Sequence, residues 1–308
     1  MSEKTNENPS PGTRIDDFTI AYRVRRGMCA DIFAVWHHRL RTPLICKRLR
    51  PEDTDDAKWR RLLRVEATAL ARFSHPGIVR LIEYNKNAQL PYILLEHVGE
   101  ETLRDVLLNE KPLPVDFAVR VVQHVGAAVA HVHECGFLHR DLKPSNIILR
   151  GGRPVLLDFG VVWRMTRAPQ GFSSRRPPDR AGTPQYLAPE QIMREPLSPR
   201  TDVFGLGVLL FELLTGARPF AASDVAHDRR APLSARYRQL TEQPSTVRRA
   251  GRRVSTQLEK VIARCLAFDA RDRFTDVPEL MAALDPFTRI KIWPRSSSIA
   301  DEKNPSPF

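Results

Sequence analysis

The stretch that decides the reading is HRDLKPSNIIL, His139–Leu149, followed shortly by LLDFG, Leu156–Gly160. It places a carboxylate, Asp141, on a loop, a cation two residues later, Lys143, and an amide, Asn146, five residues after the carboxylate. A second carboxylate, Asp158, follows a short apolar run. Transfer of a phosphoryl group needs such a set: a group to accept or orient the attacking hydroxyl, a positive charge near the moving group, and hard oxygen ligands for Mg²⁺. Asn146 and Asp158 are the oxygen donors suited to the metal.

Upstream of this stretch the apolar residues come in short bursts, FTIAYRV, DIFAVW, PLICKRL, IVRLIEY and PYILLE, bounded by Gly, Pro or charges, which predicts strands. One helix is expected among them, from about Thr54 to Phe73, where Leu62, Leu63, Glu66, Leu70 and Phe73 recur at spacings of three and four. Beyond Gly99 the periods are helical. Phe117, Val121, Val122, Val125, Val129 and Val132 form one stripe, Val203–Leu214 is apolar nearly all round, and Leu258–Cys265 and Leu280–Leu284 mark two more helices. The pattern predicts an α+β chain with a strand-rich part at 15–98 and a mainly helical part at 99–293. The polar ends, 1–14 and 294–308, are expected to be flexible tails.

The 308 residues carry 42% hydrophobic and 27% charged residues, ordinary globular values that exclude a disordered, collagenous or coiled-coil chain. The net charge of +12 suggests nucleic acid, an anionic surface or an acidic partner, or simply an arginine-rich genome. Cys29, Cys46, Cys135 and Cys265 lie far apart with no CxxC pair, so neither a disulfide framework nor a zinc site is expected. No secretion signal and no apolar run of membrane-spanning length is present, and a cytoplasmic location is the simplest expectation.

HRD and DFG with their aspartates seventeen residues apart, followed by GTPQYLAPE at Gly182–Glu190, resemble a eukaryotic-type Ser/Thr protein kinase domain of the bacterial kind over about residues 18–288. The resemblance implies a two-lobe fold, a small antiparallel sheet with one helix and then a larger helical lobe. It also implies an enzyme that passes the terminal phosphate of ATP to protein Ser or Thr hydroxyls. Asp141, Lys143 and Asn146 then match the catalytic set, and Asn146 and Asp158 the Mg²⁺ ligands. Lys47 of LICK matches the lysine on the α- and β-phosphates, and Glu66 its helix partner, an ion pair expected to be mostly buried. Leu95 falls at the gatekeeper position, with Glu96 to Val98 offering backbone groups to adenine. Gly27, Ile32 and Ile45 line the nucleotide. Leu70, Leu81, Phe159 and His139 match the regulatory spine, Glu190 and Arg273 a structural pair, and Asp202 an anchor for the catalytic loop. Lys143 and Thr183 match the Ser/Thr-specific version. Arg140 would meet a phosphorylated activation segment, with Thr166, Ser173 and Ser174 as candidate sites beside SSRRPPDR. The partners implied are protein substrates and a second copy of the chain for trans-autophosphorylation.

Two departures stand out. The positions of the GxGxxG loop fall on Arg25, Gly27 and Ala30, so only the middle glycine is present. Ile45 stands where a small residue is usual over adenine, and overpacking of that order costs about 1–3 kcal/mol. Weak ATP binding and a slow enzyme are expected, and the alternative is a pseudokinase acting as a nucleotide-gated binding or scaffold module. A small-molecule kinase is disfavoured by Lys143 and the GTPQYLAPE platform. No groove-reading motif supports nucleic acid, and Arg248, Arg249, Arg252 and Arg253 are read as a solvated surface.

Overall fold

β-branched and aromatic residues alternate with polar ones from Phe18 to Glu96, and in the computed structural model they form a six-stranded antiparallel sheet. Its strands are β1 (Arg14–Ile15), β2 (Phe18–Arg26), β3 (Ala30–His37), β4 (Thr42–Leu49), β5 (Leu81–Asn85) and β6 (Tyr92–Glu96), in the order β1-β2-β3-β4-β6-β5. Residues 9–27, 30–53, 56–110, 112–165, 176–177, 179–226, 228 and 230–288 are described. The chain divides into two units, one built from the residues up to Val98 together with Asp158–Val162, the other from Gly99–Leu157 and the residues from Trp163 on.

Alternation gives the sheet of the first unit two distinct faces. One buries Phe18, Ile20, Phe33, Val35, Leu44, Cys46, Tyr92 and Leu94 as a single apolar cluster. The other carries two rungs across β3, β4 and β6: Ile32, Lys47 and Ile93, and next to them Ala34, Ile45 and Leu95. Helix α1 (Ala57–Leu70) covers this second face, burying Leu63, Glu66, Ala67 and Leu70. It starts at Ala57 rather than near Thr54 because the Asp56 side chain accepts the Lys58 N–H at 2.8 Å and caps the first turn. It ends at Leu70, short of Phe73, whose ring instead lies 5.2 Å from that of Phe159. The run IVRLIEY likewise yields a strand only from Leu81, with Ile78 and Val79 buried in the preceding loop.

The second unit is mainly helical, as its periodicity predicts. Its elements are α2 (Leu103–Asn109), α3 (Val115–Glu134), β7 (Phe137–Leu138), β8 (Ile147–Arg150), β9 (Arg153–Leu156), β10 (Trp163–Arg164), α4 (Pro189–Met193), α5 (Pro199–Thr215), α6 (Leu233–Arg236), α7 (Thr256–Cys265) and α8 (Val277–Leu284). Every residue from Thr201 to Leu214 of α5 is buried, as its all-round apolar sequence requires, and α3, α7 and α8 pack around it. Helix α2 starts with a capping box in which Thr102 and Asp105 bond each other's backbone N–H. The hairpin β8–β9 follows Asn146 at once and returns the chain to Asp158, which sets the spacing between these two residues.

Candidate active site

In the first unit, strand β4 presents Lys47 and helix α1 presents Glu66 to the same place. The Lys47 ammonium donates to Glu66 Oε1 at 3.0 Å and Oε2 at 2.7 Å, and to Asp158 Oδ1 at 3.0 Å. Burial alone would favour the neutral amine, but the two carboxylates outweigh it and hold the Lys47 pKa above the ordinary lysine value. Burial pushes the Glu66 carboxyl upward while Lys47 opposes it, and three ammonium–carboxylate contacts favour the ionised pair. Glu66 Oε1 also accepts the Phe159 N–H at 3.4 Å, and Asp158 Oδ1 the Gly160 N–H at 3.2 Å. Phe159 and Leu70 are buried among these elements, while Leu81 is only partly buried. Lys47 and Asp158, 111 apart in sequence, are thus held together, with the Asp158 side chain still 33% exposed.

Ile32, Ile45 and Leu95 share the Lys47 face, the first paired with Lys47 and the other two with each other across adjacent strands. Val98 is buried, and the Glu96 N–H already bonds Arg80 O at 3.0 Å, which leaves only its carbonyl for any ligand. Gly27 has a reason of its own to be glycine. A Cβ there would lie 2.4 Å from the Ala30 carbonyl oxygen, which its N–H bonds at 3.0 Å to close the β2–β3 hairpin. Arg25 and Ala30, the other two positions of the triplet, lie on β2 and β3 themselves.

In the second unit the loop after β7 gathers Asp141, Lys143, Asn146 and Thr183. Asp141 Oδ1 accepts the Thr183 N–H at 2.8 Å, and Oδ2 accepts from Lys143 Nζ at 2.6 Å and Asn146 Nδ2 at 3.1 Å. Lys143 also donates to the Thr183 hydroxyl, and Asn146 Nδ2 to the Asp141 carbonyl at 3.0 Å. Thr183, matched from the sequence to the Ser/Thr-specific version, is therefore tied into the Asp141 cluster. Gly182, at φ 123, lets this approach happen, since a Cβ would lie 2.6 Å from Leu187 Cδ2 and 3.0 Å from the Arg140 carbonyl oxygen.

The loop is held from beneath by Asp202 of α5. Its Oδ2 accepts the His139 N–H at 2.8 Å and its Oδ1 the Arg140 N–H at 2.8 Å, as the sequence led one to expect. It is also bonded to His133 Nε2 at 2.7 Å, which the sequence did not reveal because 69 residues separate the two. Burial would raise the Asp202 carboxyl, but the His133 bond, the charge of His133 and the loop donors together pull it below the ordinary value. Arg140 takes a left-handed φ of 73, a strained conformation that persists because its N–H, its carbonyl (bonded by Gln191 Nε2 at 3.1 Å) and its side chain are all fixed. The anion that Arg140 meets here is Asp179, at 3.5 Å, and its guanidinium lies 5.7 Å from the Trp163 ring centre. Thr166, Ser173 and Ser174 lie outside the described residues.

Below the loop, Arg273 donates to both Glu190 oxygens, at 2.8 and 3.0 Å, in a fully buried pair. Residues 18–285 match the family model described as the protein kinase domain. The chain belongs to this family. Serine/threonine-protein kinase PknB of Mycobacterium tuberculosis is 32% identical over 280 residues, covering 89% of this chain and 43% of PknB. PknL of the same organism is 29% identical over 287 residues, covering 92% of this chain and 69% of PknL. The chain thus spans less than half the length of PknB and of the kinase SCO3848 of Streptomyces coelicolor. The crystal structure of the M. tuberculosis PknI kinase domain superposes with a TM-score of 0.68 at 23% identity, covering 91% of this chain and all of that one, which shows the kinase fold.

Among the described residues Cys46, Cys135 and Cys265 are in no disulfide, none of the His, Cys, Asp and Glu side chains form a metal cluster, and no helix is long and apolar enough to cross a membrane. Of the arginine group before α7, Arg248 pairs with Glu259 at 2.9 Å and Arg252 bonds Leu113 O at 3.1 Å, so two of its four members have structural partners.

Proposed function

We propose that this chain is the catalytic part of a serine/threonine protein kinase that transfers the terminal phosphate of ATP to Ser or Thr hydroxyls of proteins. The observation that carries the reading is the Asp141 carboxylate, held at both oxygens by Thr183, Lys143 and Asn146, a poised acceptor for the proton of an attacking alcohol. Lys143 stands ready beside it as the cation for the phosphoryl oxygens. Lys47, kept charged by Glu66 and Asp158, supports the assignment of the first unit's second face to the nucleotide, with Ile32, Ile45 and Leu95 as its apolar lining. The donor types fit Mg²⁺: Asp158 offers a part-exposed carboxylate, and Asn146, whose Nδ2 is spent on Asp141, offers its amide oxygen. When bound, the ion would neutralise phosphate charge. Arg25, Ala30 and Ile45 restrict the approach to the nucleotide and favour a slow enzyme.

The working boundaries of this catalytic part are residues 15–98 and 99–293. A cytoplasmic setting, a role in signalling and trans-phosphorylation by a second copy accompany the reading, with Thr166, Ser173 and Ser174 as acceptor sites on the chain itself. Mass spectrometry of the purified protein with and without Mg·ATP tests it. Phosphate should appear on the chain or on a general Ser/Thr substrate, and should vanish in Asp141→Ala. Absence of phosphate from the wild type on every substrate would overturn it.

A further inference from the structure

The stretch Thr183–Ala188 meets Asp141 at one end and is buried at the other. Thr183, Pro184 and Gln185 are half-buried, whereas every residue from Tyr186 to Glu190 is buried. The Thr183 N–H bonds Asp141 Oδ1 at 2.8 Å, and the Thr183 carbonyl accepts the Tyr186 N–H at 2.9 Å to close the 3₁₀ turn Pro184–Tyr186. Two carbonyls of this stretch are taken up by one distant side chain. Gln239 Nε2 donates to Pro184 O at 2.7 Å and to Leu187 O at 3.4 Å, although 55 and 52 residues separate the partners. Gln239 is only 5% exposed, so its amide has no bulk water to turn to, and the two hydrogens of its NH₂ group serve these two carbonyls.

Gln239 is itself firmly seated. It lies in a second 3₁₀ turn, Arg238–Leu240, just after α6, where Leu240 N–H bonds Tyr237 O and Thr241 N–H bonds Arg238 O, both at 3.1 Å. Beside it Tyr237 packs with Leu187 and Ile192 into one buried apolar cluster, on which Leu233 and Leu240 rest. Packing thus sets the two turns against each other, and the Gln239 amide fixes their spacing. From another side the Tyr186 hydroxyl donates to Glu212 Oε2, whose Oε1 accepts from Arg104 Nη1 at 3.0 Å. Beyond the turn, the Gln191 side chain accepts the Ala188 N–H at 3.1 Å and donates to the carbonyl of Arg140, the residue before Asp141, at 3.1 Å. The stretch is therefore held on its buried side and leaves a part-exposed edge, Thr183–Gln185, that begins at Asp141.

We propose, resting on the kinase reading above, that Gln239 is a positioning residue for the protein acceptor. Through Pro184 and Leu187 it holds the Thr183–Gln185 edge beside Asp141, so that a segment bearing Ser or Thr docks on a turn already in place. Where the competent conformation is only partly populated, apparent affinity falls by that fraction, and saturating ligand recovers it. The test uses Gln239→Met, which keeps the length without the donor, and Gln239→Glu, which sets acceptor against acceptor, each assayed in the full chain with a Thr peptide. Peptide KM should rise about tenfold in Gln239→Met and further in Gln239→Glu, with kcat at saturating peptide and KM for Mg·ATP within about twofold of wild type. A side chain that only supports the fold would instead lower kcat with the folded fraction and leave peptide KM unchanged, and that result overturns the proposal while the kinase reading stands. In the wild type without peptide, hydrogen exchange at the Thr183, Tyr186 and Ala188 amides should be slow, and rapid exchange there overturns the proposal whether or not the variants fold. Phosphate on no peptide and none on the chain overturns the kinase reading, and the proposal with it.

Discussion

Two carboxylates, Asp202 and Asp31, are each 1% exposed, yet they are treated in opposite ways. Asp202, under the loop of the second unit, is bonded by His133 and by the N–H groups of His139 and Arg140 at 2.7–2.8 Å. Asp31, next to the β2–β3 hairpin of the first unit, has no hydrogen bond to either oxygen among the described residues, and its ion-pair neighbour is Arg23 at 3.8 Å. In one region three donors converge on a single carboxylate and fix the loop that carries Asp141; in the other only the middle glycine of the triplet, Gly27, is present. Selection of a single conformation is strong where donors converge on an acceptor and weak where a buried charge is left to long-range attraction. By this contrast the loop that carries the proposed proton acceptor, Asp141, is tightly specified, and the hairpin proposed to face the nucleotide is specified less tightly.

The largest expected effect lies on the well-bonded side. Asp141→Asn removes the proposed proton acceptor while keeping its size, so the phosphorylation rate should fall by about 10²–10⁴-fold. Because both Asp141 oxygens accept from donors, the melting temperature should fall as well, with circular dichroism at the assay temperature still that of a folded chain. A rate within tenfold of wild type would show that the Asp141 cluster is scaffolding. Next comes Asp202→Asn. An amide that turns its NH₂ group toward the His139 or Arg140 N–H meets donor with donor, and a loss of about 2–4 kcal/mol of folding stability is expected in urea titrations. The sign with pH follows from the Asp202 carboxyl being held below its ordinary 3.8 in the folded chain. Its contribution is complete above that value and disappears as pH falls through the still lower folded value, so the gap between wild type and Asp202→Asn should be constant above about pH 4 and close below it.

On the looser side the effects are smaller. Ile45→Ala relieves the Lys47 face, and calorimetry should find Mg·ATP bound up to about tenfold more tightly. Asp31→Val replaces an unsatisfied buried acid with a strand-forming residue and should alter stability by less than about 1 kcal/mol, in either direction. A loss as large as that of Asp202→Asn would erase the contrast and give Asp31 a structural role equal to that of its counterpart.

Much of this was legible in the chain as written. Alternating apolar residues specified the strands and their faces, helical periods specified α1, α3, α5, α7 and α8, and HRD, DFG and GTPQYLAPE picked out Asp141, Lys143, Asn146, Thr183 and Asp158. These signals are local, because pleat, helical repeat and loop chemistry each act over a few residues. Helix α2 escaped because its seven residues are too short for a period to show, and the start of α1 because three capping residues, Thr54, Asp55 and Asp56, stand in a row. What the tertiary structure alone decided is which distant groups meet: His133 under Asp202, Arg104 and Tyr186 on Glu212, Asp179 on Arg140, and, among the described residues, no hydrogen-bond donor on Asp31. A hydrogen bond depends on a few tenths of an ångström and on direction. Such distances, between residues tens of positions apart, are set by how helices and strands pack, which no local pattern records.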